Sequence, residues 1–266
     1  MRLSIKLKAF RSDLLPANYN YPITAIVYNL LKLGSAEFAE FLHNKGYASE
    51  GKNFKLFTFA LRIEKYRYEN DSIRLLSPYI TLLVSSPLDK EFVKNFIIGT
   101  LEKQMVKIRY DGYFSTFEII QMETVPEPAF YTNMKFKLLS PIILSTKIET
   151  DGKTRQHYFR YYDDMHEINR VFNKNLERKY EALHKNKYVG KGIKLNWDNE
   201  YINRATDEKK ITRLIRIKAK DVPEVSYKGN LLPFYLEGDI ELIKIGYQCG
   251  FGEKNSMGFG MAEVIN

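Results

Sequence analysis

The chain reads as an α+β protein made of two sandwich units in tandem. Three features predict this. Apolar residues switch repeatedly between a spacing of two and the helical spacing; the order strand, helix, strand, strand, helix, strand runs once and then recurs; and Pro126 and Pro128 punctuate the chain between the two runs. A boundary placed there divides the chain into an N-terminal unit, 1–125, and a C-terminal unit, 126–266.

The elements follow in order. Leu3, Ile5 and Leu7 alternate with Ser4, Lys6 and Lys8, the pattern of a strand with one wet face. Pro16 and Asn18 turn the chain and Pro22 suits a first helical turn, so Ile23, Ile26, Val27, Leu30 and Leu31 place a helix over about 22–33. Gly34 and Ser35 end it and cap a second, short helix that carries Phe38, Phe41 and Leu42 and stops near His43. A polar loop, 44–53, leads into a strand at 54–61; another strand spans 72–84, a helix 88–102, and strands 105–110 and 114–123 complete a ferredoxin-like order. In the second unit a strand is expected near 133–139, a helix at 164–184, strands near 193–204, 211–219 and 232–238, a short helical turn at 239–247 and a last strand at 257–265. Residues 142–162 show no assignable period.

Composition narrows the function. The net charge is +9, and the segment from Arg170 to Lys220 holds 15 Lys and Arg against 6 Asp and Glu, a surplus equal to that of the whole chain. Such concentration favours an RNA or DNA footprint over a merely solvated face. Most of the 19 Tyr and 17 Phe suit a β-rich core, and tyrosines outside it suit base stacking. Cys249 is the single cysteine, which excludes an intrachain disulfide and argues against a zinc site. The alternating N-terminus does not read as a secretion signal and no run is long enough to span a bilayer, so a cytoplasmic location is expected.

The most distinctive segment is 246–260, where five of the chain's 15 glycines fall within 15 residues. Glycines such as Gly250, Gly252, Gly258 and Gly260 permit positive φ and close approach, and successive N–H groups in such a loop can cradle an anion. Lys254, Asn255 and Ser256 would add charge and hydrogen bonds. Neither a Gly-Lys-Ser/Thr ending nor the dinucleotide spacing is present. On composition alone a glycine-rich turn into an edge strand is an equal reading. Two basic rows accompany the loop. Arg213, Arg216 and Lys218 lie on the strand expected at 211–219 and Lys220 just past it, the last three on one side, and they either track a phosphate backbone or face solvent. Arg170, Lys174 and Arg178 recur at helical spacing on the helix at 164–184. Asp163, Asp164, His166 and Glu167 at that helix's start are better explained by capping than as metal ligands, and no metal or cofactor is expected.

The run Gly-Phe-Gly-Glu-Lys-Asn-Ser-Met-Gly-Phe-Gly at 250–260 resembles the C-terminal glycine-rich loop of the repeat-associated mysterious protein superfamily. Within that superfamily it is similar to the sixth Cas family, endoribonucleases that process CRISPR precursor transcripts. Ala25-Ile26-Val27-Tyr28-Asn29, Phe41-Leu42-His43, Lys55-Leu56-Phe57-Thr58 and Leu139-Ser140-Pro141-Ile142 resemble the family too, whereas 142–232 matches only in general character. The resemblance implies tandem ferredoxin-like, RNA-recognition-motif-like domains. It also implies a metal-independent endoribonuclease that cuts CRISPR repeat RNA once per repeat by 2′-OH attack, leaving a 2′,3′-cyclic phosphate and a 5′-hydroxyl. Such chemistry needs a base, an acid and a cation. His43 matches the family's histidine, Tyr28 its tyrosine and Lys55 its lysine; Lys52 is the reserve, because the loop after His43 is longer than in close relatives. A helix residue packed on the sheet is the rival account of Tyr28. The working assignment has Tyr28 assisting 2′-OH deprotonation and His43 protonating the leaving oxygen, the order of the two staying open. The resemblance also admits a homodimer and a CRISPR effector complex as partners, and two other functions: a non-catalytic repeat-RNA-binding subunit, or a fold-only relative with another anionic ligand.

Overall fold

A computed structural model describes residues 1–110, 113–150, 152–217 and 224–265. The N-terminal unit runs β1 (Arg2–Arg11), β2 (Leu14–Pro16), α1 (Asn20–Gly34), α2 (Ala36–Asn44), β3 (Tyr47–Ser49), β4 (Lys52–Phe54), β5 (Thr58–Ile63), β6 (Tyr66–Glu69), β7 (Ser72–Leu75), β8 (Tyr79–Ser85), α3 (Lys94–Glu102), β9 (Met105–Tyr110) and β10 (Tyr113–Val125). Its main sheet is antiparallel with order β5-β8-β1-β10-β9. This is the ferredoxin order with one further strand, β9, at the edge. Alternation built β1 as expected: Leu3, Ile5 and Leu7 are at most 2% exposed, whereas Lys6 and Lys8 face water. The α1 stripe of Ile23, Ile26, Val27, Leu30 and Leu31 is likewise buried.

The C-terminal unit repeats the plan with β11 (Asn133–Leu138), β12 (Ser145–Thr150), β13 (Lys153–Tyr158), α4 (Met165–His184), β14 (Ile193–Trp197), α5 (Asn199–Arg204), β15 (Thr212–Ile217), β16 (Val225–Asn230), β17 (Phe234–Gly238), α6 (Ile240–Cys249) and β18 (Ala262–Ile265). Its core sheet has the order β14-β17-β11-β18. Several expectations are corrected. The unassigned stretch holds the β12–β13 hairpin. The strand expected over 193–204 stops at Trp197, because Asp198 accepts from Tyr201 N at 3.0 Å and caps α5. β15 joins no core sheet but pairs with β16 as a separate ribbon. The strand expected at 54–61 breaks between β4 and β5, where Leu56 takes φ +52°. The strand expected at 72–84 divides into β7 and β8, and the last strand starts at Ala262, after the glycine loop.

The glycine loop is a seam between the two units. Phe251 plugs the C-terminal core, its ring 5.3 Å from Phe234 and 5.4 Å from Phe136. Thr58 Oγ1 of the N-terminal unit donates to Phe259 O at 3.0 Å, and Asn20 Nδ2 donates to Met257 O at 2.8 Å. Arg2 stacks on Tyr247, 3.9 Å from the ring centre, and donates to its carbonyl. Glycine is required at 260: φ is +73°, and a Cβ there would stand 1.8 Å from Phe251 O. Gly260→Ala is therefore expected to destabilise the protein by about 3 kcal/mol, lowering the melting temperature by about 5 °C. Calorimetry checks this, and an unchanged melting temperature would contradict the packing described.

Candidate active site

Asn20, Thr24 and Tyr28 recur every four residues and so share one face of α1. Asn20 and Thr24 hold the glycine loop, Thr24 Oγ1 lying 3.4 Å from Ser256 O. One turn on, the half-buried Tyr28 ring meets His43 edge to face, with centroids 5.2 Å apart, and rests on Phe57 at 5.8 Å. His43 is exposed in the last turn of α2, its Nδ1 3.0 Å from Asn44 Oδ1. The residues between His43 and Lys55 fold into the β3–β4 hairpin, which returns the chain so that Lys55 Nζ donates to His43 O at 2.7 Å. The structure thus gathers Tyr28, His43 and Lys55. Burial pushes the Tyr28 phenol up to about 12, so at neutral pH it stays protonated and acts as a donor. Partial burial lowers the Lys55 ammonium from its ordinary value.

Lys55 also lines a cleft of about 430 Å³. One wall is Lys52 to Phe57, the other Gly252 to Met257, with Asn175, Lys179 and Cys249 between them. Lys52 is not part of the histidine cluster; it pairs across the cleft with Glu253 at 3.7 Å. Gly250, Gly252, Gly258 and Gly260 are buried, and the backbone around them is already engaged: Phe251 N donates to Gly260 O, Glu253 N to Ile143 O and Gly260 N to Pro141 O. Lys254, Asn255 and Ser256 all line the cleft, between Glu253 and Met257. Asn255 turns its amide inward, to the carbonyls of Phe251 and Phe259.

Sequence reasoning missed Lys179. Its side chain is 2% exposed, and Nζ donates to Gly250 O at 2.6 Å and Gly252 O at 2.7 Å, which pins the loop to α4. Desolvation pulls this ammonium down to about 7. A signal existed: Phe172, Leu176, Lys179 and Leu183 share the apolar stripe of α4, so the lysine stands where a core residue belongs. Asn175, also missed, is 7% exposed with an Oδ1 that has no hydrogen-bond partner.

Arg213 and Arg216 lie on opposite faces of β15. Arg213, on the Ile215 and Ile217 side, lines a second cleft of about 650 Å³ with Tyr19, Tyr66 and Tyr68, while Arg216 is exposed beside Glu224 at 4.0 Å. Lys218 and Lys220 lie outside the described residues. The acidic group at the start of α4 is engaged in local contacts: Asp164 caps His166 N, Asp163 accepts from Arg160 N and sits 3.0 Å from His157 Nε2, and Glu167 pairs with Arg170 at 2.7 Å. Among the described residues no three of His, Cys, Asp and Glu converge where they could hold a metal ion, and no helix is long and apolar enough to cross a membrane. Burial pushes the Cys249 thiol up to about 12, which leaves it a poor nucleophile.

The profile described as CRISPR associated protein Cas6, C-terminal, matches residues 123–264, and that described as CRISPR-associated protein Cas6, N-terminal, matches 14–118. The chain is 29% identical, over all of its length and 92% of the relative's, to a Methanocaldococcus jannaschii protein named CRISPR-associated endoribonuclease Cas6 1. Among solved structures, one described as CRISPR associated protein Cas6 superposes with a TM-score of 0.75 at 29% identity, covering 100% of this chain and 99% of that one. Another, from a Cas6-related gene of Pyrococcus furiosus, reaches 0.80 at 23% identity over 100% and 98% of the two chains, a likeness of fold. With both halves of the chain matched in order, and the C-terminal profile alone spanning more than half of it, the chain belongs to the Cas6 family.

Proposed function

We propose that this protein is an endoribonuclease that binds CRISPR repeat RNA and cuts the precursor once in each repeat by metal-independent attack of a ribose 2′-OH on the adjacent phosphate. The observation that carries the reading is the meeting of the Tyr28 and His43 rings beside Lys55, which holds the His43 carbonyl and lines a cleft walled by the glycine loop. Relatives named as endoribonucleases support it. The 2′-oxygen–phosphorus bond forms as the bond to the 5′-oxygen breaks, leaving a 2′,3′-cyclic phosphate and a 5′-hydroxyl. One proton leaves the 2′-OH and one must reach the 5′-oxygen.

Tyr28, held as a phenol by burial, suits hydrogen-bond donation and poorly suits proton abstraction, which revises the working order. His43 is the group that moves protons, Tyr28 fixes the imidazole edge, and Lys55 supplies charge to the crowded phosphate. The N-terminal unit, 1–125, then carries the chemistry. The C-terminal unit, 126–266, supplies grip through Lys254, Asn255, Ser256 and Arg213, the loop glycines serving by their close packing. In the second cleft, Tyr66 and Tyr68 meet edge to face at 5.3 Å beside Arg213, a surface suited to unpaired bases.

The test is incubation of the host's repeat RNA in EDTA, beside a substrate with a single 2′-deoxy at the cut site. One cut in EDTA, abolished by the 2′-deoxy, is the expected result. Cleavage that needs a divalent metal or survives the 2′-deoxy would overturn the mechanism. Tight binding without cutting would make the protein a repeat-RNA-binding subunit instead.

A further inference from the structure

Arg170, Lys174 and Arg178 form one row along α4, each about a turn from the next, facing a groove of about 450 Å³. The opposite wall is the β12–β13 hairpin, with Lys147, Gln156 and Tyr158. The groove shares Lys52, Asn175, Glu253 and Lys254 with the cleft that holds Lys55, so the two spaces adjoin and the groove leads from the Lys55 cleft along α4.

Two observations single out its middle. Glu50, at the tip of the β3–β4 hairpin with φ +45°, reaches over from the N-terminal unit. Its Oε1 is 3.0 Å from Lys174 Nζ and its Oε2 accepts from Arg178 Nε at 2.9 Å. Both oxygens of one anion are held by two cations, the arrangement a phosphate would adopt. Beside them, the buried Asn175 amide oxygen has no partner. A buried acceptor left so is costly, and a ligand hydroxyl or amino group would satisfy it.

We propose that Lys174 and Arg178 form a phosphate subsite for the RNA strand leading away from the cut, and that Glu50 fills it in the free protein as a carboxylate stand-in which the RNA displaces. The proposal rests on the repeat-RNA reading above. Exchange is easy because Glu50 is exposed and its two cations are only partly covered, which keeps the contacts screened and modest, while an RNA phosphate arriving there also releases condensed counterions. The hairpin that carries Glu50 joins His43 to Lys55, so filling the subsite frees the same segment that sets the Lys55 contact.

The test measures affinity for an uncleavable repeat RNA, 2′-deoxy at the cut site, over a range of salt. Glu50→Gln is expected to bind about two- to five-fold more tightly than wild type. Lys174→Ala/Arg178→Ala should bind more weakly, with the slope of log K against log salt reduced by about two, and adding Glu50→Gln to it should give no gain. If Glu50→Gln binds no more tightly than wild type, or gains as much in the double-alanine background, Glu50 is only a clamp between the units and the subsite is refuted. Wild-type protein that fails to bind repeat RNA at all would instead remove the function on which the subsite rests.

Discussion

His43→Ala is expected to slow single-turnover cleavage of repeat RNA by about 10²- to 10⁴-fold, the usual contribution of a positioned acid or base. Affinity and folding should hardly change. The side chain is exposed and makes one lateral contact with the Tyr28 ring and one with Asn44, so its loss leaves no cavity. The Lys55 ammonium is held by the backbone carbonyl of residue 43, which alanine keeps, so the charge stays in place. Tyr28→Phe separates the two aromatic partners. It retains the ring that packs on His43 and Phe57 and deletes only the hydroxyl, so its rate loss reports hydrogen-bond donation alone. A His43→Ala enzyme that cuts at the wild-type rate would rule out the proposed proton transfer and return Tyr28 to a packing role.

Lys179→Met should produce the largest stability change tied to the site. Methionine matches the lysine stem in length and fills the same space in α4, but it leaves Gly250 O and Gly252 O without their buried donor. Each orphaned carbonyl costs about 1–3 kcal/mol, partly offset because the cation no longer has to be desolvated, so a net loss of about 2–4 kcal/mol is expected. The sign of the pH dependence follows from the direction of the shift. Lys179 is near 7 in the folded protein and at 10.5 ordinarily. Between those values the unfolded chain binds more protons than the folded one, so the lysine makes stability rise with pH across that window and contributes a constant, lowest value below it. The stability difference between wild type and Lys179→Met should therefore widen from neutral to alkaline pH. Denaturant titrations near pH 6 and near pH 9 measure it; a difference that stays flat or narrows would show that the ammonium is not desolvated as described. Because the loop forms a wall of the cleft, RNA affinity should fall more in this variant than in His43→Ala, a contrast that distinguishes positioning from catalysis.

Much of this was legible in the residues. Alternation in β1, the helical stripe of α1 and the punctuation at Pro126 predicted both elements and the doubled order. Tyr28 and His43, which the resemblance pairs, lie with their rings edge to face. Lys55 and Lys52 were harder to separate, since Lys52 stands in the polar loop and Lys55 only three residues on. The turn at Leu56, a non-glycine residue at positive φ, and the hairpin pairing send Lys55 back to His43 and Lys52 toward Glu253. On β15, residues three apart face opposite ways, so Arg213 stands apart from Arg216, and the row expected to run on from Arg216 to Lys218 and Lys220 lies outside the described residues.

The chain by itself determined which residues have an apolar face and where helices cap and turn. These are local properties, settled within a few residues by period and stereochemistry. Tertiary structure decided what covers each face. Lys179 lies 71 and 73 positions from the carbonyls it holds, and Glu50 lies 124 positions from Lys174. No period encodes such pairs: they exist because two separately patterned units pack through a loop whose glycine positions leave no room for a side chain, and that packing decides which charges are buried, which are paired and which stay open to RNA.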